Sequence, residues 1–245
     1  MYRNINILGY DVFIDTLSSI TIDTTKKQVI NTINPHSYVT AKDDKLFKEV
    51  LCDSDVLLPD GSGIVMAVKY CNGEVIQKIA GNDLHAHLLK LLNEEGGSCF
   101  YLGSSSSTLD KIKDRIRIEQ PNIRAGFYAP PYKVQFSDED NQVIIQVIQA
   151  FNPDVLFVGM TAPKQEKWLY EHKEKVDFKV AASIGAVFDF YAGTIHRPSQ
   201  FWINIHLEWL PRLLKEPKRL WRRNFISTPL FLLDMILCKV GIKKW

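Results

Sequence analysis

The chain has 245 residues, of which 46% are hydrophobic and 24% are charged, and its formal net charge is +2. This composition is typical of a globular protein that can bury a full core, and it excludes disordered, collagen-like and coiled-coil classes. The charge is unevenly distributed, because residues 1–200 carry net −4 and residues 201–245 carry net +6. We therefore expect an α/β core over residues 1–199 and a basic, helical C-terminal appendage over residues 200–245.

The cysteines and the apolar segments indicate the cellular compartment in which the protein works. The four cysteines are scattered without Cys-x-x-Cys spacing, which predicts free thiols in a reducing environment. The first residues contain no apolar signal-peptide core. The apolar residues 229–240 are interrupted by Asp234 and are fewer than the roughly 20 that span a bilayer. The sequence therefore predicts a cytoplasmic protein.

Short β-branched runs alternate with helical periodicity through the first 200 residues. This pattern predicts an α/β fold in which a mostly parallel sheet carries helices on both faces. The predicted strands are residues 28–33, 56–58, 99–102, 123–127, 155–158 and 178–182. The predicted helices are residues 43–51, 63–70, 83–94, 108–119, 137–150 and 163–173. Since open α/β sheets bind ligands beyond the carboxyl ends of their strands, the loops after the strands are the expected site.

Asp60 follows the second predicted strand and precedes Gly61. A carboxylate there, beside a glycine that permits close approach of a ligand, suits a catalytic base. An isolated Asp-Gly is also explained by an aspartate that caps the next helix. Thr32 and Asn34, at the end of the first strand, point the same way on an extended chain and suit ligand contacts, with a simple Asn-Pro turn as the alternative.

Further candidate binding residues lie in the other loops. Gly103 opens a serine-rich loop before a helix, where backbone N–H groups can hold phosphate, although N-capping serines explain the loop equally well. After Gly159, Lys164 and Gln165 fall in the first turn of a helix, where a lysine is electrostatically misplaced unless it meets an anion.

Two aspartates have weaker signals. Asp83 belongs to a turn-and-cap sequence of low specificity. Asp189 follows the last strand and is either a ligand contact or a buried aspartate satisfied by backbone N–H groups. No zinc-binding His-Glu-x-x-His pattern, nucleophile elbow or Walker loop is present, so the sequence predicts neither a zinc enzyme nor an NTPase. Residues 138–140 match a metal-binding Asp-x-Asp by letters but are interpreted as the start of a helix.

From residue 200 onward, aromatic and basic side chains are interleaved. Pro217 predicts the start of a new helix, because its fixed φ suits a first turn. In that helix Arg219, Arg222 and Arg223 share one face. Three guanidinium groups on one face repel one another, so this face predicts an anionic ligand.

The apolar residues 230–237, followed by three lysines and Trp245, predict an interfacial helix on a membrane surface. A helix packed on the core or on a neighbouring subunit is the alternative. A nucleic-acid arm fits less well, because the core is acidic and the segment continues as an apolar stretch.

Taken in chain order, these loops resemble the WecG/TagA/CpsF family of bacterial glycosyltransferases. The resemblance extends from about Gly9 to Phe225, and the ordered set is more specific than any one motif. The matching motifs are Thr32-x-Asn34, Pro59-Asp60-Gly61, Gly81-x-Asp83-Leu84, Leu102-Gly103, Val158-Gly159, Ala162-Pro163-Lys164-Gln165-Glu166-x-x-Trp168, Gly185-Ala186-x-Phe188-Asp189, Gly193, Arg197, Glu208-Trp209-x-x-Arg212, Glu216-Pro217-x-Arg219 and Arg222.

The resemblance implies a Rossmann-like core and inverting transfer of a sugar from a UDP-sugar onto a polyprenyl-diphosphate-linked sugar. The implied donor sugar is of the N-acetylmannosamine, glucose or galactose type, and the implied pathway makes teichoic acid, capsule, exopolysaccharide or an enterobacterial-common-antigen-like polymer. It further implies no obligatory metal or other cofactor. The implied enzyme lies on the inner face of the cell membrane, which its C-terminal appendage meets. Homo-oligomers are common in the family, and no nucleic-acid partner is expected.

Carried over onto matching positions, the resemblance makes Asp60 the general base, with Thr32 beside it in the catalytic set. Gln165 becomes a donor contact, and Arg212, Arg219 and Arg222 become a diphosphate clamp. Forked arginine donors match phosphate oxygens and can stabilise a departing diphosphate without a metal. The other implied substrate contacts are Asn34, Gly61, Asp83, Gly103, Gly159, Lys164, Asp189 and Arg197.

The sequence departs from the family pattern at three places. Thr161 replaces a glycine before Ala-Pro-Lys-Gln, Ser104 stands where glycine is common, and Arg197-Pro198-Ser199 replaces Arg-Ala-Pro. These changes border the expected sugar and phosphate pockets, so they affect donor identity more than reaction class. They also raise a competing hypothesis, a catalytically inactive nucleotide-sugar-binding or scaffolding module, against which the retained Asp60 and arginines count.

Overall fold

A computed structural model of the protein describes residues 2–23, 25–195 and 217–242, together with Trp202, Leu210, Leu213 and Leu214. The strands are β1 Asn4–Ile7, β2 Tyr10–Phe13, β3 Gln28–Ile33, β4 Val56–Pro59, β5 Ser98–Gly103, β6 Arg124–Tyr128, β7 Val155–Gly159 and β8 Val180–Ser183. The α-helices are α1 Pro35–Asp43, α2 Lys45–Cys52, α3 Ser62–Asn72, α4 Gly81–Glu95, α5 Ser106–Glu119, α6 Asp138–Phe151, α7 Lys164–His172, α8 Val187–Tyr191, α9 Pro217–Arg222 and α10 Thr228–Lys239.

A six-stranded parallel sheet in the order β4-β3-β8-β7-β5-β6 forms the centre of the protein. Its strands are apolar on both sides because both sides are covered. In β7, Val155 and Phe157 pack with α4, α5 and α8, whereas Leu156 and Val158 pack with α6 and α7. The predicted α/β fold, with a parallel sheet between helical layers, is confirmed.

Four of these elements were not predicted, namely the strands β1 and β2 and the helices α1 and α8. The hairpin β1–β2 turns through Leu8 and Gly9, both with positive φ, as a two-residue type I′ connection requires. Helix α1 begins at Pro35 immediately after β3, where the sequence had suggested either a ligand contact or a turn. The short α8 follows the turn at Gly185.

Residues 217–239 of the C-terminal segment are helical and pack on the core. Helix α9 begins at Pro217, as predicted, and continues through a π-helical turn, Arg223–Ser227, into α10. Phe231 and Met235 of α10 are buried in a cluster with side chains of α1 and α3. The alternative of packing on the core is therefore correct for this face of the helix. The predicted boundary between residues 199 and 200 lies outside the described residues.

The opposite face of α10 is apolar and exposed. Leu230, Leu233 and Ile236 expose 41%, 52% and 46% of their surface. An interfacial helix thus remains a prediction for this outer face only. Across the ranges that the structure describes, no helix is both long enough and apolar enough to cross a membrane.

Asp234 anchors α10 to α1. Its side chain is 4% exposed and accepts hydrogen bonds from Tyr38 Oη at 3.0 Å and Lys42 Nζ at 2.6 Å. The ring of Tyr38 also packs edge-on against Phe231, with centroids 5.3 Å apart. The charge that interrupts the apolar segment in the sequence is therefore a docking contact.

Asp234→Ala is expected to destabilise the protein by about 1–3 kcal/mol, because the buried Tyr38 hydroxyl loses an acceptor. Denaturant unfolding followed by circular dichroism measures the effect. Leu233→Ala, on the exposed side of the same helix, is the matched control and should change stability by less than about 0.5 kcal/mol. Equal effects of the two substitutions would contradict the anchoring role.

Candidate active site

The candidate residues of five loops meet at one edge of the sheet. Because all six strands are parallel, their carboxyl ends lie on the same side. Asn34, Asp60, Gly103 and Gly159 end or directly follow β3, β4, β5 and β7, and the segment from Ile184 to Asp189 follows β8. The expectation that function resides in the loops after the strands therefore yields one compact region.

Asp60 lies beside the end of β3. Its backbone N–H donates to the carbonyl of Ile33 at 2.9 Å, which extends the pairing of β4 with β3. A Cβ built on Gly61 would lie 3.9 Å from Cβ of Asn34. Gly61, at φ +103°, is the N-cap residue of α3, a role that the capping alternative had given to Asp60. Asp60 is half-buried at the edge where a ligand would bind.

Asn34 is the N-cap of α1. Its Oδ1 accepts from the backbone N–H groups of His36 and Ser37 at 3.0 and 3.1 Å, and Ser37 Oγ accepts from the Asn34 N–H at 2.8 Å. The Asn-Pro sequence is thus a helix start rather than a simple turn. Oδ1 is committed to the cap, so a ligand contact by Asn34 would use Nδ2. Thr32, two residues earlier on the strand, is half-buried.

The N-terminus of α4 closes another side of the site. The Ile79 N–H donates to the carbonyl of Pro59 at 3.1 Å, which holds the chain before α4 against the end of β4. A Cβ on Gly81 would lie 3.3 Å from Val187 and 3.4 Å from Ile184, so α4 packs closely on the loop after β8. Asp83 caps this helix by accepting from the Ala80 N–H at 3.1 Å. The turn-and-cap interpretation of Asp83 is correct, and its contact with substrate stays a prediction.

Gly103 and Gly159 allow the ends of β5 and β7 to approach closely. A Cβ on Gly103, which has φ +115°, would lie 2.5 Å from the Gly159 carbonyl oxygen. A Cβ on Gly159 would lie 2.5 Å from the ring of Phe188. Ser105 caps α5 through the Thr108 N–H at 3.2 Å, so the N-capping explanation of the serine loop is confirmed.

Gln165 and Glu166 form a buried polar pair at the start of α7. Each is 4% exposed, and Gln165 Nε2 donates to Glu166 Oε1 at 2.8 Å. Burial raises the pKa of Glu166 to about 7. Gln165 Oε1 lies 3.0 Å from the position of a Cβ on Gly185, so the amide packs directly under that turn. In the part of the chain that the structure describes, Gln165 Oε1, Glu166 Oε2 and Ser183 Oγ have no hydrogen-bond partner.

Glu166 and Ser183 were not among the predicted site residues. The signal for Glu166 was its place in the motif that contains Lys164 and Gln165, although a charged side chain in the first turn of a helix normally faces solvent. Ser183 lies one residue beyond the predicted strand of residues 178–182 and belongs to none of the matching motifs. Only the packing of α7 on the sheet shows that both are buried.

Lys164 and Asp189 lie toward the rim. Lys164 Nζ donates to the carbonyl of Lys133 and lies 3.5 Å from the ring centroid of Phe136. The carbonyl oxygen and the aromatic face both attract the ammonium group, so they stabilise a lysine at the positive end of the α7 dipole. Asp189 is half-buried, and its Oδ1 accepts from Thr194 Oγ1 at 3.4 Å. Contact of either residue with substrate stays a prediction.

The C-terminal segment brings arginines to this edge. His36 Nδ1 lies 2.9 Å from Ser227 Oγ, which joins the start of α1 to the π-helical turn. Burial, followed by the charges of Arg223 and Arg222, lowers the pKa of His36. His36 lies two residues after Asn34, so the π-helical turn, which begins at Arg223, packs beside the start of α1.

The remaining predicted cations fall partly or wholly outside the described structure. Only the backbone of Arg219 is described, within α9. Arg197 and Arg212 lie outside the described residues. Their predicted roles are therefore unchanged by the geometry.

The model of the glycosyl transferase WecG/TagA/CpsF family matches residues 3–244. The chain belongs to the WecG/TagA/CpsF family. The protein is thus a glycosyltransferase, and the predicted family and enzyme class are confirmed.

Several curated relatives align with nearly the full length of this chain. An N-acetylglucosaminyldiphosphoundecaprenol N-acetyl-beta-D-mannosaminyltransferase of Bacillus subtilis (strain 168) is 31% identical over 96% of this chain and 88% of its own length. The protein of the same name from Bacillus spizizenii is 31% identical, over 89% of this chain and 82% of its own. The protein of this name from Staphylococcus aureus (strain MRSA252) is 26% identical, over 90% of this chain and 84% of its own length.

In this WecG/TagA/CpsF glycosyltransferase, Asp60 lies beside the end of β3, and the turn that begins at Arg223 packs on the helix that follows β3. Glycosyl transfer requires a proton acceptor for the attacking hydroxyl and positive charge for the leaving diphosphate. Asp60 and Arg222 have those chemical capacities, and the fold brings their segments to the same edge.

Proposed function

We propose that the protein transfers a sugar, with inversion, from a UDP-sugar to a polyprenyl-diphosphate-linked N-acetylglucosamine during cell-surface polysaccharide synthesis. N-acetylmannosamine is the first donor sugar to test, because three relatives with 26–31% identity are named for its transfer to such an acceptor. The observation that carries the proposal is the position of Asp60 beside Asn34, with Arg222 and Arg223 near the start of α1.

The proposed reaction is a single displacement. The acceptor hydroxyl attacks the anomeric carbon while Asp60 takes its proton, and the bond from that carbon to the UDP oxygen breaks. Arg212, Arg219 and Arg222 stabilise the negative charge that develops on the diphosphate. With arginines in this role, transfer needs no metal ion and should persist in EDTA.

The test incubates purified protein with a short-chain lipid-diphosphate N-acetylglucosamine and a panel of UDP-sugars, and measures UDP release. We expect UDP release and formation of a lipid-linked disaccharide with UDP-N-acetylmannosamine. Neither product should form with UDP-glucose or UDP-galactose. Turnover only with another UDP-sugar would change the donor and keep the reaction class. Tight binding of UDP-sugars with no turnover on any of them would favour the inactive binding module.

We further propose that the enzyme works as a peripheral protein on the inner membrane surface, where its acceptor would lie. Exposed aromatic and apolar side chains follow one another along the C-terminal segment, with Trp221 at 52%, Phe225 at 60% and Val240 at 57% exposure. Exposed basic residues, including Arg222 and Lys239, accompany them. Apolar insertion combined with attraction to anionic lipid is typical of interfacial helices.

The double substitution Trp221→Ala and Phe225→Ala is expected to weaken binding to anionic phospholipid vesicles at least about 10-fold, because two interfacial aromatic anchors are lost. Co-sedimentation at low and high salt measures the effect, and wild-type binding should fall as salt rises. Ile118→Ser, which removes an apolar side chain that is 75% exposed on α5, is the control and should leave binding unchanged. Undiminished binding by the double variant would place the membrane contact elsewhere.

A further inference from the structure

Two cysteines face each other where α10 packs on α3. Cys71 lies near the end of α3 and Cys238 near the end of α10, and both are free thiols of intermediate exposure. Cys71 Sγ is 3.7 Å from the carbonyl oxygen of Met235, one helical turn before Cys238. Burial, followed by the neighbouring Cys238 thiol, raises the pKa of Cys71.

A neighbouring contact shows the same alignment of the two helices. Lys239 Nζ lies 5.7 Å from the ring centroid of Tyr70, so the residues adjoining the two cysteines also meet. Both cysteines pack against the hydrophobic cluster that contains Phe231 and Met235. The cysteines are thus held in register by two packed helices, rather than brought together by mobile loops.

The other two cysteines differ from this pair. Cys99 is buried in the sheet, and Cys52 is exposed at the end of α2 with its Sγ 3.8 Å from the Gly9 carbonyl. Within the described chain, Cys52 is therefore more open to a small oxidant than Cys71 and Cys238, but it lacks the neighbouring thiol that each of those two has.

We propose that Cys71 and Cys238 form a thiol–disulfide modification site that accepts a low-molecular-weight disulfide and links the C-terminal helix covalently to the core. One protein thiolate attacks the small disulfide, forms a mixed disulfide and releases one small thiol. The second cysteine then attacks the protein sulfur of that mixed disulfide and releases the second small thiol. The two protein thiols are oxidised by two electrons, the small disulfide is reduced, and both thiol protons end on the released small thiols.

The link acts on the segment that carries the arginines. It would hold α10 on α3 at the end opposite the π-helical turn, next to the contact that Asp234 makes with Tyr38. In a reducing compartment such a bond is transient and responds to oxidation. Burial raises the pKa of Cys71, so the reaction should be slow at neutral pH and faster under mildly alkaline conditions.

The experiment treats the full-length protein with glutathione disulfide and maps the products by non-reducing peptide mass spectrometry. The expected product contains the Cys71 peptide joined to the Cys238 peptide, with glutathione on Cys52 and none on Cys99. The cross-linked protein should also unfold at a temperature about 5 °C higher than the reduced form, because the bond restrains a long stretch of the unfolded chain.

Three variants give the control and the decisive comparisons. Cys52→Ser should form the cross-link as wild type does, whereas Cys71→Ser and Cys238→Ser should each leave the other cysteine with a stable glutathione adduct. Glutathione adducts on both cysteines of the wild type, with no internal link, would overturn the proposal. So would glutathionylation of Cys52 while Cys71 and Cys238 stay reduced.

Discussion

Asp60→Asn is expected to lower kcat of sugar transfer by at least about 10³-fold, because an amide cannot take the proton of the acceptor hydroxyl. Asparagine has nearly the same shape, so the end of β4 and the turn at Gly61 should be preserved. The loss should therefore appear in kcat, while the affinity for UDP stays within about twofold of wild type. UDP-release kinetics, calorimetric titration with UDP and a thermal unfolding curve measure the three quantities.

The matched control is Asp110→Asn, which makes the same chemical change at an exposed position of α5. It should leave kcat, UDP affinity and unfolding temperature unchanged. Near-normal turnover in Asp60→Asn would remove Asp60 from the role of base and require another acceptor at this edge. Loss of UDP binding together with turnover would instead make Asp60 a binding residue.

The strands of the sheet were predictable because they are buried on both faces. Residues 28–33 match β3, and residues 155–158 fall within β7, as expected where continuous β-branched and aromatic runs have to lie between two helical layers. The hairpin β1–β2 was missed because each strand has only four residues and β1 is partly polar, so its alternation is weak. Helix α1 was missed because Asn34-Pro35 signals a turn as well as a helix start.

The positions of the site loops were predictable from the sequence to the extent that strand order and strand direction determine them. Parallel strands place their following loops at one edge, so the proximity of Asp60 to Asn34 follows from the predicted fold. The docking of the C-terminal segment does not follow, because it depends on side chains as far apart in sequence as Tyr38 and Asp234, which are separated by 196 positions. Similarly, the sequence predicts that Gln165 is a polar residue near the start of a helix. Its burial under Gly185 results from tertiary packing, which the sequence pattern does not show.

Arg222→Ala is expected to reduce kcat about 10²- to 10³-fold, because a cation that stabilises the departing diphosphate is removed. The Arg222 side chain is exposed, so its loss should leave the unfolding temperature unchanged. Arg222→Lys should retain part of the activity, since it keeps the charge and loses the forked pair of donors. UDP-release kinetics in detergent, where membrane attraction does not contribute, isolate the effect on the reaction itself.

Lys218→Ala is the matched control, because it removes an exposed cation from the same helix. A general electrostatic attraction for the acceptor would make the two substitutions equivalent, and that attraction would decline with salt for both. A specific role at the diphosphate makes only Arg222→Ala defective, with a loss in kcat that persists at high salt. Full activity of Arg222→Ala and of Arg219→Ala in detergent would mean that the C-terminal arginines serve the membrane contact, and the charge on the leaving UDP would then have to be met from elsewhere at the sheet edge.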